Sequence, residues 1–291
     1  MGTGTGDASR DRAAGILLGL AAGDLNGGPV RMAKRLAESL ASRRAFDRDD
    51  VARRWHEWFL AGHAKDEGQV AFLVLRQLPH GIGYRQEGAA FDRAAREVDA
   101  RLGGDTAGCN QLHRAAPLAM APFLPAVDLA AAAASQALLT HVHPLAGEAS
   151  AAAVLLCRFL VEGCSFDEAL SRAAEGRAPE VASALLEWEA RAPGAGGYAP
   201  ETLHAAVHFA GKARSFAEAL EEALRFAGRE NYCPVVAGAI AGARWGASSI
   251  PPGMLGHGEV RKLVPRLERI ALRLLGTEGA NDSFGMEHPL Y

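Results

Sequence analysis

The sequence contains little cysteine and carries no large excess of either charge. Its four cysteines show no Cys-x-x-Cys spacing, so we expect reduced, buried thiols rather than a zinc site or a disulfide framework. With a net charge of −3, the chain does not have the excess of basic residues that is typical of a nucleic-acid-binding protein. No apolar stretch approaches a membrane span, and the polar start Met-Gly-Thr-Gly-Thr-Gly lacks the apolar region of a signal peptide. These absences predict a cytoplasmic protein with neither nucleic-acid nor membrane partners.

The pattern that is present is helical. No run alternates with the period of a β-strand, whereas apolar residues recur at helical spacing along most of the chain. Asp47, Ser165 and Ser215 stand where helix N-caps are expected. Helices are predicted over residues 12–22, 32–40, 51–60, 69–78, 88–102, 148–160, 203–209, 217–227, 235–245 and 260–275. Because no linker divides the 291 residues, we expect one compact all-α domain over 1–291, with residues 1–9 as a flexible tail.

Five segments rich in small and polar residues follow one another along the chain. They are Gly15 to Ala33, Lys65-Asp-Glu-Gly-Gln-Val70, Gly108-Cys-Asn-Gln-Leu-His-Arg-Ala-Ala-Pro-Leu-Ala119, Thr140-His-Val-His-Pro144, and the pair Gly196-Gly-Tyr-Ala-Pro-Glu-Thr-Leu203 and Gly228 to Ala243. In this order they resemble the motifs of the ADP-ribosylglycohydrolase family. The resemblance implies an orthogonal multi-helix domain of that type and a small-molecule ADP-ribosyl or nucleotide ligand.

The resemblance breaks at the two metal-binding loops of that family. The family's first loop reads Thr-Asp-Asp-Thr before Gln-Met-Ala, where this chain has Gly27, Gly28, Pro29 and Val30. The second reads Gly-Gly-Asp-x-Asp-Thr, where this chain has Arg229, Asn231 and Tyr232 at the two Asp positions and the Thr. Hard divalent cations need charged oxygen ligands. We therefore predict that the family's Mg²⁺ pair is lost and expect no metal or other cofactor.

The second segment supplies the catalytic candidates. Asp66 falls on the family's catalytic carboxylate, and Glu67 stands beside it. The resemblance implies that Asp66 orients or deprotonates the attacking water, with assistance from Glu67. The alternative for Asp66 is a helix N-cap ahead of the helical run from Gln69.

The other segments supply candidates for ligand contact. Arg31 and Arg229 adjoin the two altered loops, where guanidinium groups are able to replace cations and contact phosphate; the alternative is two solvated arginines. Asn110 and Gln111 are ligand contacts or a polar turn, and His143 binds ligand or is a core histidine. The complete set of predicted substrate-binding residues is Asp24, Arg31, Asn110, Gln111, His141, His143, Tyr198, Arg229, Asn231 and Tyr232.

These features predict a metal-independent hydrolase of an N-ribosyl bond in an ADP-ribosyl or NAD-derived nucleotide. Two alternatives stay open: a catalytically inactive protein that binds ADP-ribose or a nucleotide, and an enzyme of a specialised nucleoside-type biosynthetic pathway. The sequence predicts no particular oligomeric state.

Overall fold

The computed structural model describes residues 3–62, 64, 68–83, 85–228, 232–258 and 260–276. Within these residues the protein is all-α, as predicted, and no β-strand forms; Gly108 and Tyr198 make one isolated antiparallel bridge. The α-helices are α1 (Thr3–Gly23), α2 (Gly28–Arg43), α3 (Arg48–Leu60), α4 (Gln69–Gln77), α5 (Glu87–Arg101), α6 (Asn110–Ala115), α7 (Pro117–Met120), α8 (Ala126–Ala137), α9 (Pro144–Glu162), α10 (Phe166–Ala174), α11 (Pro179–Leu186), α12 (Ala199–Lys212), α13 (Phe216–Ala227), α14 (Cys233–Trp245) and α15 (Val264–Leu274). Short 3₁₀ helices span Ala247–Ser249, Pro252–Leu255 and Val260–Lys262.

Helices α1 and α14 pack backbone against backbone through glycines. A Cβ atom placed on Gly19 would lie 2.1 Å from the carbonyl oxygen of Gly238, and one placed on Gly242 would lie 1.9 Å from that of Gly15. Only residues without a side chain allow this approach. At the end of α1, a Cβ on Gly23 would lie 2.1 Å from the carbonyl oxygen of Pro234. The loop that follows α1 therefore starts beside the first turn of α14.

Helix α9 is the centre of the core. Most of its residues are buried, and it packs against α8, α10, α12 and α14. By length and composition this helix is apolar enough to cross a membrane, with a mean hydropathy of 1.5 over 18 residues. This corrects the expectation that no apolar stretch approaches a span. Because 72% of that window is buried inside the protein, the helix has the environment of a core helix, as predicted for residues 148–160.

Side-chain caps begin several helices where the sequence indicates them. Asp47 accepts a hydrogen bond from the amide of Asp50 at the start of α3. Ser165 and Ser215 accept from the amides three residues later, at 3.3 and 3.2 Å. Each such bond satisfies an amide that has no partner within its helix, so the caps fix where these helices begin.

The structure differs from the sequence prediction at several helices, and α6, α7 and α11 are among those that were not predicted. Helix α1 begins at Thr3, within the stretch expected to be a tail. Helix α8 was not predicted, because its alanine-rich sequence offers little contrast between apolar and polar faces. The helix predicted over 260–275 is divided into a 3₁₀ turn and α15, with Pro265 in the first turn of α15, where a missing amide proton breaks no helical bond.

Candidate functional site

A cleft of about 520 Å³ opens where loops from distant parts of the chain meet. This volume lies within the range of small-molecule sites. Four of the five segments line it, and the fourth segment lies beneath the third: a Cβ on Gly108 would lie 3.5 Å from Nε2 of His141. The lining consists of Asn26 and Pro29, residues 68–70, Asp105 with residues 107–110 and His113, and Gly197, Tyr198 and Tyr232.

Asp24 shapes the loop between α1 and α2. Its side chain is fully buried, with Oδ1 accepting from the amides of Asn26 (3.1 Å) and Gly27 (2.7 Å) and Oδ2 from that of Val30 (2.7 Å). Gly27 has a φ of 89°, which favours glycine, and Pro29 follows in the first turn of α2. The carboxylate thus stabilises the loop through hydrogen bonds to its backbone. Asp24 is not among the residues that line the cleft, although the sequence suggested a ligand contact.

The residues of this first loop do not fit the family's pair of hard cations. Both oxygens of Asp24 accept hydrogen bonds from backbone amides, and the other side-chain oxygen in residues 24–30 is the neutral amide oxygen of Asn26. Among the described residues, no three His, Cys, Asp or Glu side chains form a group able to hold a metal ion. A pair of hard divalent cations needs many oxygen ligands, and this loop supplies a single carboxylate whose two oxygens already accept hydrogen bonds.

The third segment forms the floor of the cleft. Gly68, at φ 85°, lies directly against Asn110, because a Cβ there would be 2.1 Å from the Asn110 amide. Asn110 thus packs against Gly68, the first described residue of the second segment. Gln111 points the other way: it is fully buried and its amide donates to the carbonyl of Ala146 on α9, at 3.1 Å. Gln111 therefore ties α6 to the core and does not line the cleft.

The two histidines of the fourth segment lie below or beside the cleft. His141 is fully buried, its Nδ1 is 2.7 Å from the hydroxyl of Thr140, and burial lowers its pKa well below the usual value. His143 caps α9, with Nδ1 accepting from the amide of Leu145 at 3.3 Å. Neither lines the cleft: His141 is a buried residue below it, and the half-buried His143 has a structural role as the cap of α9.

Two tyrosines form the opposite wall. The Tyr198 phenol donates to Oε2 of Glu180 at 2.9 Å, and burial together with Glu180 raises the pKa of the phenol to about 12. The amide of Ala199 donates to the carbonyl of Ala107 at 2.8 Å, which joins this wall to the floor. The ring of Tyr232 lies against Gly197, where an added Cβ would be 3.2 Å from Cε1.

His113 is a cleft residue that the sequence analysis missed. It is 2% exposed, lines the cleft, and its Nε2 lies 2.5 Å from the carbonyl oxygen of Tyr232. The available signal was its spacing: it follows Asn110 by three residues and so lies on the same face of a helix. Its hydrogen-bond partner, the carbonyl of Tyr232, is 119 residues away, and no local sequence pattern indicates that contact.

Arg31 is not among the described lining residues. The guanidinium of Arg31 donates to the carbonyl of Gly27 at 3.0 Å. Asp66, Glu67, Arg229 and Asn231 lie outside the described residues. Of the predicted set, the described lining therefore includes Asn110, Tyr198 and Tyr232.

The environment of Asp24 leads to a first prediction. Asp24→Asn turns one accepting oxygen into an NH₂ group that faces a backbone amide, and we expect it to lower the free energy of unfolding by about 1–3 kcal/mol. Urea titration followed by circular dichroism measures this change. Asp128→Asn, on the exposed first turn of α8, is the control and leaves stability unchanged. Equal stability of both variants would contradict the anchoring role of Asp24.

Comparison with known proteins agrees with the sequence motifs. The sequence model of the ADP-ribosylglycohydrolase family matches residues 30–283. A solved structure described as an "ADP-ribosylglycohydrolase-related protein complex" aligns with a TM-score of 0.73 and 26% sequence identity, over 93% of this chain and 99% of that chain. A search of curated proteins found no match. The family and fold indicate hydrolase activity of the ADP-ribosylglycohydrolase type. The chain therefore belongs to the ADP-ribosylglycohydrolase family, as the resemblance of its five segments predicted.

Proposed function

We propose that the protein hydrolyses the N-ribosyl bond of a small ADP-ribosyl or NAD-derived nucleotide, and that it does so without a divalent cation. One observation carries the proposal: the cleft between the family's motifs is retained, whereas the carboxylate of Asp24 is committed to three backbone amides. The first loop thus holds its shape through hydrogen bonds within the chain.

The proposed reaction breaks the bond between the anomeric carbon of ribose and the leaving nitrogen. Positive charge develops on the ribose ring, water adds to the anomeric carbon, and the water proton passes to a carboxylate. An amide or guanidine leaving nitrogen takes up that proton in turn, whereas nicotinamide leaves NAD as a neutral molecule and the proton is released to solvent. We assign the accepting carboxylate to Asp66, since Gly68, two residues later, lies on the cleft wall against Asn110. Asn110 and the Tyr198 phenol, both on the cleft, are proposed to position the ribose or its leaving group.

Metal dependence is tested with the wild-type protein. Purified protein is incubated with NAD and with ADP-ribosyl nucleotides, once in excess EDTA and once with added MgCl₂, and the products are separated by HPLC. We expect the same turnover under both conditions. Turnover that disappears in EDTA and returns with Mg²⁺ would refute the metal-free mechanism.

The role of Asp66 is tested by substitution. Asp66→Asn removes the proton acceptor, and we expect kcat to fall about a hundredfold, with little change in affinity. Asp105→Asn is the matched control, because Asp105 is an exposed carboxylate of the same cleft. It is expected to retain nearly wild-type turnover. Full activity of Asp66→Asn would remove Asp66 from the mechanism.

A second candidate function is binding without hydrolysis. Among the described lining residues, Asp105 is the only carboxylate, whereas several others can donate or accept hydrogen bonds. Calorimetry distinguishes this case. ADP-ribose that binds without turnover, and with the same affinity in Asp66→Asn, would favour a binding protein over a hydrolase.

A further inference from the structure

The hydrogen bond to Tyr232 fixes the proton on the His113 ring. A carbonyl oxygen only accepts, so Nε2 of His113 must carry the proton and donate it across the 2.5 Å contact. Burial lowers the pKa of His113 to about 4, and the ring is therefore neutral near pH 7. In a neutral imidazole with the proton on Nε2, Nδ1 holds a free electron pair and acts as an acceptor.

That acceptor has no partner among the described residues. Nδ1 of His113 is enclosed and makes no hydrogen bond, although the same side chain lines the cleft. A buried acceptor left unpaired costs about 1–3 kcal/mol. A hydroxyl group is able to donate to it and remove this cost. Phosphate and carbonyl oxygens only accept, so they gain nothing there.

We propose that His113 is a specificity-determining residue whose Nδ1 accepts a hydrogen bond from a ribose hydroxyl of the bound nucleotide. The proposal rests on the ribosyl ligand of the proposed function and does not require turnover. The same ring holds the carbonyl of Tyr232, immediately before α14, where the family has its second metal loop.

The test is calorimetry with ADP-ribose and with analogues in which one hydroxyl of the terminal ribose is replaced by hydrogen. We expect the wild-type protein to bind ADP-ribose about tenfold more tightly than one of these analogues. His113→Phe should lose this difference, by weakening the parent ligand and leaving the analogue unaffected. His113→Gln, whose amide both donates and accepts, should keep part of it.

The control is His204→Phe. His204 is another fully buried histidine, on α12, and is not among the lining residues. We expect His204→Phe to keep the wild-type preference for the hydroxyl. If His113→Phe does not fold, long-range ¹H–¹⁵N NMR of the wild-type protein reports on Nδ1 directly, and its resonance should shift when ADP-ribose saturates the protein.

The possible results distinguish a failure of the His113 proposal from a failure of the proposed hydrolase activity. Equal wild-type affinity for ADP-ribose and every analogue, equal losses for both ligands in His113→Phe, or an unmoved Nδ1 resonance would each overturn it. ADP-ribose that binds with the expected preference but is not hydrolysed would leave the role of His113 intact and remove only the catalytic function. No binding of ADP-ribose at all would overturn both.

Discussion

Replacing Gly19 with alanine is expected to lower the free energy of unfolding by more than about 4 kcal/mol, and so to prevent stable folding. The added methyl group would lie 2.1 Å from the carbonyl oxygen of Gly238 and 2.8 Å from its carbon. Both are backbone atoms of a buried helix, which cannot turn aside as a flexible side chain does. Helices α1 and α14 would have to separate along their whole contact. Thermal and urea unfolding followed by circular dichroism measure the effect.

Gly6 offers a matched control on the same helix. A Cβ placed on Gly6 meets no atom within 4 Å. Gly6→Ala therefore gains only helix propensity, and we expect it to stabilise the protein by about 0.5–1 kcal/mol. The two substitutions are chemically identical and are expected to have opposite signs. A Gly19→Ala protein as stable as Gly6→Ala would show that the two helices do not pack through their glycines.

Removing Arg114 is expected to have the next largest effect. Its guanidinium is fully buried, lies 4.1 Å from the ring centre of Trp55, and donates to the side chain of Gln136 at 3.0 Å and to the hydroxyl of Thr140 at 2.7 Å. Burial lowers its pKa to about 9, so the group stays charged at neutral pH. Arg114→Ala leaves a cavity and unpaired acceptors, and we expect a loss of about 3–5 kcal/mol.

Two further variants test whether the effect of Arg114→Ala comes from charge alone and whether it is specific to a buried arginine. Arg114→Lys keeps the charge but has neither the planar stacking surface nor the forked donors, so it should remain clearly destabilised. Arg10→Ala removes an arginine whose contact with Asp7 is exposed, and it should leave the melting temperature unchanged. If Arg114→Lys were as stable as the wild type, charge alone would explain the role of Arg114.

Most of the fold was predictable because its signals are local. Apolar spacing identified α3, α5 and α9, and the caps at Ser165 and Ser215 marked helix starts within a few residues. Helix α8 was not predicted, because a run of alanines has no distinct polar face from which helical spacing can be recognised. The sequence identified the glycines of α1 as part of a family motif but did not predict that they pack against another helix. Their packing role depends on a partner more than 200 residues away.

The candidate site was predictable in outline but not in orientation. The motifs led to Asn110, Tyr198 and Tyr232, which line the cleft. Sequence order cannot show which way a side chain points, and adjacent Asn110 and Gln111 face opposite surroundings. The structural role of Asp24 could not be predicted, because its hydrogen bonds depend on a loop conformation that Gly27 permits. The role of His113 depends on a contact with a distant carbonyl, which no local pattern encodes.

The pairing of α1 with α14 has a consequence for how the protein is made. The ribosome adds about 5–20 residues per second, so roughly 10–40 s pass between the synthesis of α1 and that of its partner. During this interval the face of α1 that carries Gly15 and Gly19 has no native cover from α14. Helix α1 is thus synthesised long before the helix against which it packs, and its contact with α14 is among the later contacts that the nascent chain can complete.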